Sequence, residues 1–93
     1  IIFNNGAHDS VGGQPTIGFK INFEKIAKKF NYKETFKIEN IADFEIVFNS
    51  FKKASGPCLL EILINKGARK NLGRPTISPQ QNKISFMKRI QMR

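Results

Sequence analysis

The sequence predicts an α/β fold: a parallel sheet with flanking helices, about three strands and three helices. Three observations carry this. The run Cys58-Leu-Leu-Glu-Ile-Leu-Ile64 is almost wholly apolar, the mark of a strand covered on both faces, as in a parallel sheet. Two stretches with helical spacing of apolar residues lie between it and two other strand-like segments. Strands joined by helices imply parallel pairing with right-handed crossovers.

Each element follows from its residues. Residues 1–4 read as a short buried strand, and residues 5–18 as a Gly/Asn/Pro-rich loop without apolar period. Asn22 is a helix N-cap. Behind it Phe23, Ile26, Ala27 and Phe30 fall on one helix face, opposite Lys25, Lys28 and Lys29, and Asn31-Tyr32 ends the helix. Thr35-Phe-Lys-Ile-Glu39 alternates as a half-buried strand. Asn40 is the expected cap of a second helix, whose core face holds Ile41, Phe44, Val47, Phe48 and Phe51. Gly56 is its expected left-handed terminus, with Pro57 blocking continuation. The basic stretch 66–77 carries Gly67, Gly73 and Pro75 and reads as a loop. Ser78-Pro79-Gln80-Gln81 then starts a terminal helix over 78–91: Ser78 caps, Pro79 takes the first helical position and Gln81 completes a capping box. Ile84, Met87 and Ile90 form that helix's narrow apolar stripe.

Composition narrows the function classes. The 93 residues allow one small domain, with a core over 1–65. Cys58 is the only cysteine, so no internal disulfide forms; the thiol is expected to be buried and inert, in a cytoplasmic protein. No apolar run reaches membrane-spanning length, so no membrane partner is expected. The net charge of +9 suggests nucleic acid at first sight. Residues 1–65, however, carry eight Lys/Arg against seven Asp/Glu, and residues 66–93 carry eight basic residues and no acid. The excess is a basic tail, so a small basic nucleic-acid-binding domain is the lesser reading, and no nucleic acid is expected as a partner. The opening strand begins at the first residue, as expected of a piece of a longer chain.

The polar loop follows the C-terminal end of the first strand, where parallel sheets bind ligands. Its string Asn4-Asn-Gly-Ala-His-Asp-Ser-Val-Gly-Gly-Gln-Pro-Thr16, taken with Lys66-Gly-Ala-Arg-Lys-Asn-Leu-Gly-Arg-Pro75, resembles the C-terminal region of the phosphonopyruvate decarboxylases. These belong with the thiamin diphosphate-dependent 2-oxo acid decarboxylases. The resemblance implies thiamin diphosphate and Mg2+ as cofactors and conversion of 3-phosphonopyruvate to phosphonoacetaldehyde and CO2; sulfopyruvate decarboxylation is the alternative within the family. It also implies site roles. Asn5 would supply a side-chain oxygen to the metal and Ala7 its carbonyl. Asn4, Gly6, Gly12 and Gly13 would shape or contact the cofactor site. His8 would be a catalytic candidate for proton transfer, and Arg69 and Arg74 would meet the phosphonate, since guanidinium pairs well with phosphate-like oxygens. The Gly-Asp-Gly half of the motif, the pyrimidine-binding domain with its activating glutamate, and a second subunit would lie outside this chain. The 93 residues alone are therefore expected to be inactive.

Overall fold

A computed structural model describes residues 1–92 of the chain. Its main sheet has three parallel strands, β1 (Ile2–Asn4), β4 (Glu34–Ile38) and β5 (Cys58–Leu63), in the order β1-β5-β4. The numbering leaves room for a small antiparallel ladder, β2 (Ala7–His8) and β3 (Gln14–Pro15), described below. Ile2 lies beside Glu61 and Asn4 beside Leu63; on the other side Phe36 lies beside Leu60 and Ile38 beside Ile62. The apolar run thus forms the central strand, as its composition predicts.

Helix α1 (Phe23–Lys29) connects β1 to β4, and α2 (Phe44–Lys53) connects β4 to β5. The first crossover steps outward past the position of β5 and the second steps back. Crossovers of one hand that travel in opposite directions must cover opposite faces. Strand alternation agrees. Ile38, Leu60 and Ile62 point to the α2 face and form the buried core, with Phe36, Phe44, Val47, Phe48 and Phe51 packed on them. Phe36 meets Phe51 edge-on at 5.8 Å, and Phe44 stacks on Phe48 at 5.3 Å. Leu59 and Ile2 face the other way, toward Phe23, Ile26 and Ala27 of α1. Each fully buried aliphatic side chain contributes roughly 1.5–3 kcal/mol.

The helix ends show where sequence pattern and structure agree. Asn22 caps α1, its Oδ1 accepting from the Lys25 N–H at 2.8 Å, and Asn31 ends it in the left-handed region at φ 61°. Helix α3 (Pro79–Gln91) has the complete capping box: Ser78 Oγ accepts from the Gln81 N–H, and Gln81 Oε1 accepts from the Ser78 N–H.

Several expectations are corrected. Residues 5–18 are not a plain loop; they contain the β2–β3 ladder and a 3-10 turn, Asp9–Val11, and run into a second 3-10 turn, Gly18–Lys20. Asn40 makes no side-chain cap, because a 3-10 turn over Ile41–Asp43 intervenes and the α-helix proper begins at Phe44. That turn swings Ile41 outward, leaving it 88% exposed. Gly56 is not left-handed: α2 ends one step earlier, where Ala54 turns extended at ψ 146°. Cys58 is half-buried rather than sealed, and its thiol donates to the Ser55 carbonyl at 3.1 Å.

The apolar faces of α1 and α3 remain largely uncovered. Ile26 and Phe30 are exposed, as are Ile84, Met87 and Ile90. Every residue from Ile64 to Met92 is exposed. The Cα radius of gyration, 16.7 Å, accordingly exceeds the figure of about 12 Å for a compact domain of this length. No helix among the described residues is long and apolar enough to cross a membrane.

Candidate functional site

Strands β1 and β5 end side by side, and the Ile64 N–H donates to the Asn4 carbonyl at 3.0 Å. The loops that follow the two strands therefore leave from the same end of the sheet. In parallel sheets, this is the ligand-binding end.

Asn4 is buried, 6% exposed, and its amide is fully occupied. Nδ2 donates to the Gly18 carbonyl at 3.0 Å and to Glu61 Oε1 at 2.8 Å. Its Oδ1 accepts from the Gly6 N–H at 3.1 Å. Gly6 has φ 64°, and a Cβ there would stand 2.4 Å from the Phe19 ring. The chain thus needs glycine at position 6 for two separate reasons, left-handed backbone and the ring lying over it.

Asn5 is differently placed. Its Oδ1 accepts from the Ala7 N–H at 3.0 Å, and its Nδ2 donates to Asp9 Oδ2 at 2.7 Å. Ala7 lies opposite Pro15 in the β2–β3 ladder. The Thr16 N–H donates to the Gly6 carbonyl at 2.8 Å, so the 6–16 pair carries the ladder hydrogen bonding. Hydrogen-bonded and non-bonded pairs alternate in antiparallel strands, which makes 7–15 a non-bonded pair. Both the amide and the carbonyl of Ala7 therefore point away from β3, toward the side where Asn5 Oδ1 lies. Gly12 and Gly13, at φ 85° and 69°, close the ladder turn, and the Gly13 N–H donates to the His8 carbonyl at 2.9 Å.

Asp9 joins the two halves of the site. Its Oδ2 also accepts from the Gly67 N–H at 2.8 Å, so the basic stretch is tied back to the Asn5 turn. The two strings singled out in the sequence thus meet in space. His8 is exposed on the ladder, and its imidazole has no hydrogen-bond partner among the described residues. Arg69 and Arg74 are exposed, and neither guanidinium takes part in an ion pair or hydrogen bond among the described residues. Arg69 follows the Gly67 anchor by two residues in the chain, and Arg74 by seven.

Asp9 can be read from the sequence as shaping the turn, and it does; the roles of Glu61 and Phe19 are not foreseen there. For Glu61 there was a signal: a lone carboxylate inside an apolar strand is rarely buried unless paired.

The donor set can be tested against the implied metal. Mg2+ is a hard ion that takes oxygen ligands, usually one or two carboxylates beside phosphate oxygens and waters. Asn5 Oδ1 spends one lone pair on the Ala7 N–H and keeps another. With the outward-facing Ala7 carbonyl, it makes a pair of neutral oxygen donors that fits a share of such a site. No group of three or more His, Cys, Asp or Glu residues that would hold a metal occurs among the described residues.

Comparison with known proteins leads the same way. No protein-family profile matches the chain, and no solved structure matches it. Two curated proteins do. A phosphonopyruvate decarboxylase of Streptomyces viridochromogenes is 27% identical over 81 residues, covering 87% of this chain and 20% of the relative. A phosphonopyruvate decarboxylase of Streptomyces hygroscopicus is 28% identical over the same extent. The chain spans about a fifth of the length of these relatives. Over most of its own length, then, the chain is similar to the phosphonopyruvate decarboxylases.

Proposed function

We propose that this chain contributes the metal-holding turn of a thiamin diphosphate- and Mg2+-dependent decarboxylase that converts 3-phosphonopyruvate to phosphonoacetaldehyde and CO2. The observation that carries the reading is the Asn5 side chain folded onto the Ala7 N–H at the ligand end of a parallel sheet, with Ala7 at a ladder position whose carbonyl faces away from β3. The similarity to phosphonopyruvate decarboxylases supplies the substrate.

When bound, thiamin diphosphate supplies the electron sink for decarboxylation. The chain's own residues do the holding. Asn5 Oδ1 and the Ala7 carbonyl would take two positions on Mg2+, and the Asp9 hydrogen bond to Asn5 Nδ2 turns that oxygen away from Asp9. Asn4 and Gly6 fix the turn from beneath. Gly12 and Gly13 close the ladder without side chains, leaving its tip open to the cofactor. His8, exposed beside this turn, is the candidate to hold or deliver a proton. Arg69 and Arg74 offer bidentate donors to the phosphonate. The remaining walls of the site, including the activating carboxylate, would come from outside these residues and from a second subunit.

The test is a product assay on the full-length protein with thiamin diphosphate and Mg2+. The reading expects phosphonopyruvate to yield phosphonoacetaldehyde and CO2 in equal amounts, with turnover lost on omission of either cofactor. Faster turnover of sulfopyruvate would reassign the substrate. Turnover independent of thiamin diphosphate would overturn the reaction class.

A further inference from the structure

Glu61 is the one carboxylate buried among the described residues, 7% exposed between Leu60 and Ile62 on the central strand. A carboxylate withdrawn from water is costly unless it is hydrogen-bonded. Its basic neighbour across β4 is Lys37, whose ammonium is engaged by Glu39. The partner of Glu61 is instead Asn4, whose Nδ2 donates to Oε1 at 2.8 Å.

The consequences run through the asparagine. A carbonyl oxygen, from Gly18, and a carboxylate oxygen, from Glu61, both accept, so the nitrogen of the Asn4 amide must face them. The Asn4 oxygen is thereby turned to the Gly6 N–H. That bond fixes where the chain leaves β1 and hence the spacing between Asn5 and Ala7. A leucine at position 61 would fit the apolar strand but would leave only the Gly18 carbonyl and the Gly6 N–H to hold this amide orientation.

We propose that Glu61 is a positioning residue of the cofactor site. It orients Asn4, and through Asn4 and Gly6 it sets the separation of Asn5 Oδ1 and the Ala7 carbonyl. The proposal rests on the reading of that turn as a Mg2+ site. Groups hydrogen-bonded directly to metal ligands typically change metal affinity by about 10–100-fold when removed; Glu61 acts from further back, through Asn4 and Gly6, so the lower end of that range is expected.

The experiment compares Glu61→Leu, Glu61→Gln and wild type in the full-length protein. Mg2+ is titrated in the presence of thiamin diphosphate by calorimetry, well below each variant's unfolding midpoint. Glu61→Leu should weaken Mg2+ binding by roughly tenfold, the lower end of that range. Glu61→Gln, which keeps an oxygen able to accept from Asn4, should stay within a few-fold of wild type. In an Asn4→Ala background, Glu61→Leu should add no further loss, because the two residues act as one unit. Hydrogen exchange at the Gly6 amide gives a readout independent of cofactor, and Glu61→Leu should speed it. If Glu61→Leu fails to fold, Glu61→Asp, one methylene too short for Asn4, should show the same direction of change. Equal Mg2+ affinity in wild type and the Leu or Asp variant, or unchanged Gly6 exchange, overturns the positioning role alone. A wild-type protein that binds no thiamin diphosphate overturns the site reading and this proposal with it.

Discussion

Substituting Gly6 by alanine separates two demands that meet at one position. The first is backbone: at φ 64° an L-residue costs about 1–2 kcal/mol. The second is steric. The new Cβ would stand 2.4, 2.6 and 2.9 Å from three atoms of the Phe19 ring, so the ring must move. Overpacking of this kind costs about 1–3 kcal/mol. Phe19 is 61% exposed and can swing outward, which places the steric cost in the lower half of that range. Gly6→Ala should therefore cost roughly 2–4 kcal/mol in all, a large share of the ~5–15 kcal/mol typical of a folded domain. Gly12 supplies the control. It has φ 85° and nothing within 4 Å of its built Cβ, so Gly12→Ala should cost only about 1–2 kcal/mol. Urea unfolding, read as a shift in midpoint at constant slope, measures both. In a Phe19→Ala background the steric excess of Gly6→Ala should vanish. Equal costs for Gly6→Ala and Gly12→Ala in wild type, or an excess that survives removal of Phe19, would refute the reasoning.

Other perturbations have defined outcomes. Ser78→Ala removes half of the capping box and should cost α3 about 1 kcal/mol, seen as faster amide exchange over residues 79–83. Helix α3 is exposed along its length, so its amides should exchange much faster than those of β5 even in wild type. The Lys28 ammonium, hydrogen-bonded to Glu24, holds that carboxyl below its ordinary range. The pair's contribution is thus present above the unfolded carboxylate value and lost as pH falls through the folded one. Lys28→Ala should raise the Glu24 titration seen by NMR, with no measurable stability change near neutral pH because the pair is exposed. Neutralising Arg69 in the full-length protein should raise KM for phosphonopyruvate and leave pyruvate, which lacks the terminal anion, much less affected; equal losses would mark a structural role. The 93 residues alone should show neither aldehyde release nor saturable thiamin diphosphate binding at micromolar concentration.

The legible parts of the fold were those that local pattern decides. A nearly continuous apolar run marks a strand covered on both faces, and β5 lies in the middle of the sheet. The aromatic spacing of Phe44, Phe48 and Phe51 names the core face of α2 before the sheet is known. Ser78-Pro79 and Gln81 specify the start of α3 whatever surrounds it. Two-residue strands leave no period to detect, which is why the β2–β3 ladder was invisible. Asn40 has the chemistry of a cap, but the 3-10 turn behind it is set by tertiary packing of Phe44. Apolar stripes on α1 and α3 reveal that the helices are amphipathic, not what would cover them.

At the site, the Asn-Asn-Gly turn is local and could be read from residue types alone. Its supports could not. Glu61 lies 57 residues from Asn4, and Gly67 lies 58 from Asp9, so neither pairing leaves a trace in sequence spacing. Only register, with Asn4 and Ile2 beside the Glu61–Leu63 segment of β5, brings these groups together.

The central claim is that Asn5 holds the metal through which thiamin diphosphate is bound. Its most direct test is calorimetric titration of thiamin diphosphate into the full-length protein, with and without Mg2+, in wild type and Asn5→Ala. The account predicts Mg2+-dependent saturable binding in wild type. In the variant it predicts loss of that dependence, with an unchanged circular dichroism spectrum, since Asn5 is not in the core. Cofactor affinity that is the same in both proteins and indifferent to Mg2+ would contradict it.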